Sequence, residues 1–196
     1  MESNRMSEFI GVIIGDGNLW GAHYEIVVTG DVKKDQSYFE FLANIIKEKF
    51  DYSPVIRFRS GGLRLVIRSK KIFGFLEKFF PDGKTAETVR IPDGVRLKSV
   101  LRGIFDTDGT IFFSSKPGVE QYPTIEITTI SPILAKQIKK CLAKLGFRPR
   151  IRCFKEIHDT FKVSLHGKKQ IIRWLKTIGS SNENKLAKLK LTSQAA

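Results

Sequence analysis

Cysteine is scarce in this chain of 196 residues, which holds only Cys141 and Cys153. Neither lies in a CxxC pair or at zinc-ligand spacing from histidine, so a metal-stapled or disulfide-stapled scaffold is excluded and the thiols read as reduced and structural. No uncharged apolar run reaches about 18 residues, so no segment reads as a membrane span. The N-terminus, Met1-Glu2-Ser3-Asn4-Arg5, lacks the apolar centre of a secretory signal. An intracellular protein with no membrane partner is expected. Three histidines form no cluster, which argues against a basic nuclease of the His-Asn-His type. Acidic residues are also in short supply, 20 against 34 lysines and arginines, for a net charge of +14. With 41% apolar residues and 15 phenylalanines, disorder of the main body is excluded, and what remains is a basic, core-forming protein.

The placement of the positive charge says more than its sum. Arg57 and Arg59 alternate with Ile56 and Phe58, and Arg64 and Arg68 alternate with Leu63, Leu65 and Ile67. Arg148, Arg150 and Arg152 alternate with Phe147, Ile151 and Cys153. Period two puts the apolar set on a core face and the arginines on the other face of a strand. Arginine-faced strands in both halves make a surface for phosphates and guanine edges, so nucleic acid is the expected partner.

Apolar periodicity and breakers place helices at 7–15, 35–50, 70–80, 97–107, 132–145 and 168–178, the first capped by Ser7 and the third stopped by Pro81. Strands are predicted at 19–20, 24–29, 55–59 and 63–68, then at 111–114, 124–129, 147–154 and 161–166. The order α-β-β-α-β-β-α thus occurs twice. The fold class expected is α+β, two pseudo-symmetric αββαββα repeats with a four-stranded antiparallel sheet each. The first repeat occupies 1–80 and the second 97–179. A turn-rich linker spans 81–96, and a polar, basic tail spans 180–196. The tail reads as a frayed end, or as an arm touching phosphate.

The repeats share a motif. Gly11-Val12-Ile13-Ile14-Gly15-Asp16-Gly17 returns as Gly103-Ile104-Phe105-Asp106-Thr107-Asp108-Gly109. Gly11 and Gly15 lie four apart, as do Gly103 and Thr107, and small residues at i and i+4 share a helix face that lets two backbones approach. If those faces meet, Asp16 and Asp108 end side by side. Two carboxylates so placed repel unless divalent cations lie between them. Mg²⁺ suits such a site because it takes a few carboxylate oxygens, water and phosphate, the arrangement a two-metal phosphodiesterase needs.

Both nine-residue segments, Phe9 to Gly17 and Leu101 to Gly109, resemble the motif of the LAGLIDADG homing endonucleases, and the element order agrees over nearly the whole chain. Two motifs in one chain resemble the monomeric, intron-encoded type. The resemblance implies a saddle of two sheets in the DNA major groove. It also implies Mg²⁺-dependent cleavage of both strands of a long, asymmetric double-stranded target, leaving short 3′ overhangs. Asp16 and Asp108 are the implied metal ligands, aided by the carbonyls of Gly15 and Thr107. Mn²⁺ is implied as a substitute, and Ca²⁺ as one that binds without supporting cleavage. A basic residue near each metal is a family habit. Counting back from the last helix of each repeat makes Arg68, with Lys70 behind it, the first-half candidate, and His166 and Lys168 the second-half ones.

The strand faces nominate Asn18, Trp20, Glu25, Arg57, Arg59, Arg64 and Arg68 as DNA-facing in the first half. Lys116, Gln121, Glu126, Thr128, Arg148, Arg150, Arg152 and Lys162 follow in the second. Two rivals share the fold without cutting DNA: a splicing cofactor that binds intron RNA, and a DNA-binding regulator. The intact Asp16 and Asp108 favour cleavage.

Overall fold

The computed structural model describes residues 1–194 except Ser60, Pro117 and residues 156–158, and the side chains of Lys116, Val119 and Glu120 also lie outside the described set. Helix α1 (Asn4–Asp16) is capped by Ser3, whose hydroxyl accepts from the Met6 amide. The cap lies one turn earlier than Ser7. That residue is buried, and its hydroxyl accepts from the Arg96 amide at 2.9 Å, a partner too distant in sequence for any local pattern to reveal. Strand β1 (Gly17–Trp20), a single 3₁₀ turn and β2 (Glu25–Asp31) follow, then α2 (Gln36–Phe50), β3 (Val55–Arg59), β4 (Gly62–Arg68) and α3 (Lys70–Glu77).

The second repeat runs α4 (Leu97–Asp108), β5 (Gly109–Lys116), β6 (Val119–Thr129), α5 (Pro132–Lys144), β7 (Arg150–Phe154), β8 (Thr160–His166) and α6 (Lys168–Thr177). Each repeat builds one antiparallel four-stranded sheet, ordered β1-β2-β4-β3 and β5-β6-β8-β7. The fold is α+β, as the duplicated pattern predicts. No helix among the described residues is long and apolar enough to cross a membrane.

The centre of the molecule is the α1–α4 pair. Phe9, Ile10, Val12 and Ile13 of α1, with Val100, Leu101, Ile104 and Phe105 of α4, are fully buried. The glycines set the separation. A methyl group on Gly11 would collide with the Val100 carbonyl oxygen, and one on Gly103 with that of Glu8. Both obstacles are backbone, so the helices approach as closely as their main chains permit. The sheets lay one face on this layer: Ile26, Val28, Leu63, Leu65 and Ile67 in the first, Ile125, Ile127, Val163 and Leu165 in the second.

Four further departures from the periodicity bear on the packing. Helix α3 ends at Glu77 because the chain tightens into three-residue turns, Phe79 amide to Leu76 carbonyl and Phe80 amide to Glu77 carbonyl, both 2.9 Å, which bury Phe80. Strand β7 begins at Arg150, since Phe147 turns into the core against Trp174 (centroids 5.9 Å) and the Arg148 amide donates to the Gln170 side chain at 3.1 Å. Strand β6 is longer than its apolar stretch and starts at Val119.

The fourth departure is the tail. It is neither frayed nor an arm but forms α7 (Glu183–Gln194), with Leu189 and Thr192 buried. Its weak amphipathicity hid it. The helix is fixed at its start, where Ser180 Oγ donates to Asp106 Oδ1 at 2.5 Å and the Ser181 and Asn182 amides donate to Oδ2 at 2.8 and 3.3 Å. The segment between the repeats has no regular element, yet it is held: Gln137 pairs with both the amide and the carbonyl of Ile91 (2.7 and 3.2 Å), and Val89 is buried.

Candidate functional site

Helices α1 and α4 terminate on Asp16 and Asp108, and the strands leave at once from Gly17 and Gly109. Because the helices touch along the glycine face, their ends converge. A methyl on Gly15 would strike the Thr107 hydroxyl and lie 2.8 Å from Asp108 Oδ2, so the last turn of α1 abuts the second carboxylate. Asp16 keeps part of its surface in solvent while its carboxyl lies at the seam, and Asp108 is half-buried. Their proton affinities report the crowding. Burial raises Asp16 above the usual carboxylate range. Burial, then the charge of Asp16, pushes Asp108 up to about 7.

Two lysines that the sequence reading did not nominate sit at these ends. The Lys84 ammonium donates to the Gly15 carbonyl at 3.2 Å and also to that of Gly17. Lys185, on α7, donates to the carbonyls of Phe105 (2.8 Å) and Thr107 (3.0 Å). Burial lowers the pKa of both, opposed by the aspartates, with Asp108 and Asp16 acting on Lys84 and Asp106, Asp35, Asp16 and Asp108 on Lys185. Each lysine follows the third helix of its repeat by only a few residues, and this duplicated position is the sequence signal that could have found them.

Arg68 and Lys168 stand elsewhere. Arg68 pairs with Glu25 across the open face of the first sheet. Lys168 begins α6 and lines the groove over the second sheet with Lys169 and Gln170. Lys70 lies in the first turn of α3 with its ammonium 5.6 Å from the centre of the Tyr24 ring.

The donor set suits a hard divalent cation. Among the described residues no three acidic, histidine or cysteine side chains gather into a ready-made cage. What converges is one carboxylate from each repeat, with the Gly15 and Thr107 carbonyls nearby. An ion that keeps several waters and takes phosphate oxygens needs no more protein than this. Burial first and Asp16 second raise the Asp108 pKa against the pull of Lys185 and Lys84, and a bound cation would act in the same direction as those lysines.

Register fixes which side chains share the open faces. In the first sheet the cross-strand rows are Trp20–Glu25–Arg68, Asn18–Val27–Val66–Val55, Thr29–Arg64–Arg57 and Asp31–Gly62–Arg59. In the second they are Phe112–Thr124–His166, Thr110–Glu126–Ser164–Arg150 and Thr128–Lys162–Arg152. Asn18, Trp20, Glu25, Arg57, Arg59, Arg64 and Arg68 therefore lie together, as do Glu126, Thr128, Arg150, Arg152, Lys162 and His166. Arg148 precedes β7 but borders the same groove, of about 750 Å³. Gln121 does not join them: the alternation of β6 gives it the parity of Pro123 and Ile125, on the opposite face. Lys116 closes β5, and its side chain lies outside the described set. The sequence reading did not nominate Phe112 and Phe154, which are exposed at 38% and 40% on the open face.

Arg57 faces Arg64 directly, and Arg152 faces Lys162. Like charges in register destabilise a sheet. Among the described residues Arg57, Arg59, Arg64, Arg150 and Arg152 form no ion pair, whereas Lys162 reaches Glu126 at 3.4 Å. A groove of about 460 Å³ runs from Asp16 and Lys84 to Arg59 and Arg64. Asp16 and the cationic face of the first sheet thus border one space, which suits a polyanion.

Comparison with known proteins agrees with this architecture. Residues 97–179 match the LAGLIDADG-like domain. The chain superposes on the homing endonuclease I-DmoI with a TM-score of 0.69 at 17% identity, covering 96% of this chain and 97% of that one, in a structure containing DNA and Ca. Another I-DmoI structure holds DNA and Mn (TM-score 0.65, 16% identity, 89% and 96% covered). The N-terminal LAGLIDADG domain of WhiA has the same fold (TM-score 0.57, 19% identity, 94% and 88% covered). In sequence, the chain is 28% identical over 95% of its length to a replication factor C small subunit of Methanocaldococcus jannaschii. It is 27% identical over 72% to a DNA polymerase of Thermococcus hydrothermalis. It spans only about a tenth of the length of these two relatives. The second repeat thus matches the LAGLIDADG-like domain over its whole length. The chain as a whole has the two-sheet fold of I-DmoI.

Proposed function

We propose that this chain is a site-specific endonuclease that cuts both strands of double-stranded DNA with the help of a divalent cation, Mg²⁺ first and Mn²⁺ as a substitute. The observation that carries the reading is the seam itself. Two carboxylates end two helices in backbone contact, each with a half-buried lysine on the carbonyl that precedes it, between two sheets whose open faces carry Arg57, Arg59 and Arg64 in the first and Arg150 and Arg152 in the second. The fold alone does not carry the proposal, because WhiA shares it. The match of 72–95% of this chain to a tenth of far longer relatives fits a nuclease module that can be carried inside other proteins.

A cation held by Asp16 and Asp108, with the Gly15 and Thr107 carbonyls, would neutralise phosphate charge and lower the pKa of a bound water. The protein's own contribution is positional. The sheets hold the duplex by its phosphates and base edges. The short link from Asp16 and Asp108 into β1 and β5 fixes the carboxylates relative to the groove floor. Lys84 and Lys185 bring positive charge to where negative charge grows on the scissile phosphate, in a half-buried setting where it counts for more than in water. The halves carry different rows, so an asymmetric target follows, and one carboxylate–lysine set serves each strand.

The test is cleavage of a library of randomised duplexes in Mg²⁺ by the wild type and by Asp16→Asn, Asp108→Asn, Lys84→Met and Lys185→Met. The aspartate variants are expected to lose double-strand cleavage. Each lysine variant is expected to cut one strand at least about a hundredfold more slowly, so that nicked duplex accumulates with DNA affinity unchanged. Wild-type rates in both aspartate variants would remove the metal assignment. Binding to structured RNA without any DNA cleavage would favour the splicing-cofactor alternative.

A further inference from the structure

The row Asn18–Val27–Val66–Val55 is out of character for a solvated sheet face. Antiparallel sheets that pack one face on a core turn polar residues to water on the other, and here the core face is already supplied by Ile26, Val28, Leu65 and Ile67. Three valines nevertheless lie in register on the open side, on adjacent strands β2, β4 and β3. Val55 is 43% exposed, and Val27 and Val66 are half-buried. High β-propensity is the simplest explanation for such a row. The second repeat answers it: the equivalent row is Thr110–Glu126–Ser164–Arg150. It is polar throughout, with Ser164 Oγ donating to Glu126 at 3.0 Å. The same fold is built without apolar residues at these places.

The surroundings say what covers the valines. On one side lies the row with Arg64 and Arg57, on the other Arg68 paired with Glu25, and Val27 and Val66 line a groove with these residues and Arg59, so that four arginines face one carboxylate. A cationic frame around an apolar strip excludes a plain apolar partner and fits a polyanion that carries an apolar patch. In the DNA major groove the apolar group on a base edge is the thymine C5 methyl. We infer that Val27, Val66 and Val55 read thymine methyl groups in the half-site covered by the first sheet, while the flanking arginines hold guanines and phosphates. Asn18 is the row's member on β1, two residues after Asp16, so these thymines lie near the first cleavage position. The inference rests on the DNA-binding reading above. It adds that the row beginning two residues after Asp16 reads methyl groups, whereas the equivalent row of the second sheet presents Glu126, Ser164 and Arg150 for hydrogen bonds and charge.

The experiment removes the methyl from the DNA and leaves the protein untouched. Binding sites are selected from a randomised duplex library with the full chain, Mg²⁺ being replaced by Ca²⁺. The half bound by the second sheet is identified as the one whose consensus relaxes in Arg150→Ala. Each consensus thymine is then replaced by uracil. At least one replacement under the first sheet is expected to weaken binding about fourfold, equal to about 0.8 kcal/mol for one buried methyl. Val66→Ser removes both methyl groups and is expected to lose the preference for thymine over uracil at one position, while Val66→Ile, which keeps an apolar β-branched side chain, is expected to retain it. A consensus in which uracil is tolerated throughout the first half overturns the inference and leaves the DNA-binding reading standing. No consensus at all overturns both. A chain that sediments as a dimer without DNA, and as a monomer after Val66→Lys, assigns the row to a second copy and also overturns the inference.

Discussion

Asp108 is the residue whose chemistry is most exposed to test. Its carboxyl is held near 7 by burial first and by Asp16 second, with Lys185 and Lys84 pulling the other way. The direction of the linkage follows. A carboxyl raised above its unfolded value binds a proton in the folded chain that it has released in the unfolded one, so its contribution to stability is largest at acid pH and is lost as pH rises toward 7. A divalent cation needs the ionised form and competes with that proton. Mn²⁺ affinity measured by calorimetry is therefore expected to rise between pH 5.5 and 7.5 and to flatten above. Cation-induced stabilisation in thermal unfolding should follow the same course. Asp108→Asn should abolish both trends, and a pH-independent affinity in the wild type would contradict the arrangement. The aspartates were legible in the sequence because glycine spacing and motif are local. Lys84 and Lys185 were not, since their carbonyl partners lie 69 and 78 residues away. Searching backwards from the last helices led to Arg68 and Lys168, while the nitrogens at the seam come from segments after those helices.

Between helices, the decisive quantity is the closeness of α1 to α4. Gly103→Ala would place a methyl against the Glu8 carbonyl oxygen, with the Val12 amide nitrogen at 2.8 Å and the Gly11 carbonyl carbon at 3.0 Å. Backbone cannot yield as a side chain can, so a loss of about 1–3 kcal/mol is expected in urea unfolding, at the upper end of the cost of overpacking. The control lies in α3, where a methyl on Gly74 meets nothing within 4 Å. Gly74→Ala should stabilise by about 0.5–1 kcal/mol through helix propensity alone. Equal effects at the two positions would show that close packing is not what the motif glycine provides. Elements with strong periodicity, such as α2 and β4, were readable to within a residue or two. The missed boundaries are those where one contact overrides the pattern: Phe147 entering the core before β7, and Ser3 capping α1 a turn ahead of Ser7.

Across the whole molecule, the two halves are equipped unequally. The first draws its lysine from the segment between the repeats. The second draws it from α7, which is moored by Asp106, the motif position that is Ile14 in the first copy. Asp106 is buried, and its carboxylate takes three hydrogen bonds at 2.5–3.3 Å from Ser180, Ser181 and Asn182. Neither motif helix depends on those bonds for its own geometry, but Lys185 lies one turn further along the segment they hold. Asp106→Ala leaves the Ser181 amide without its acceptor and the Asn182 amide with only Ser180 Oγ at 3.2 Å, a penalty of about 1–3 kcal/mol for an amide that stays buried, and relieves it most cheaply by releasing α7. Limited proteolysis should then cut within 180–194 while the two-sheet body survives. One strand of the target should be cut at the wild-type rate and the other slowly, reproducing Lys185→Met and not Lys84→Met. If Asp106→Ala slows both strands equally, α7 belongs to the shared core rather than to the second centre. If it slows neither, the mooring is separable from catalysis and Lys185 finds its carbonyls unaided.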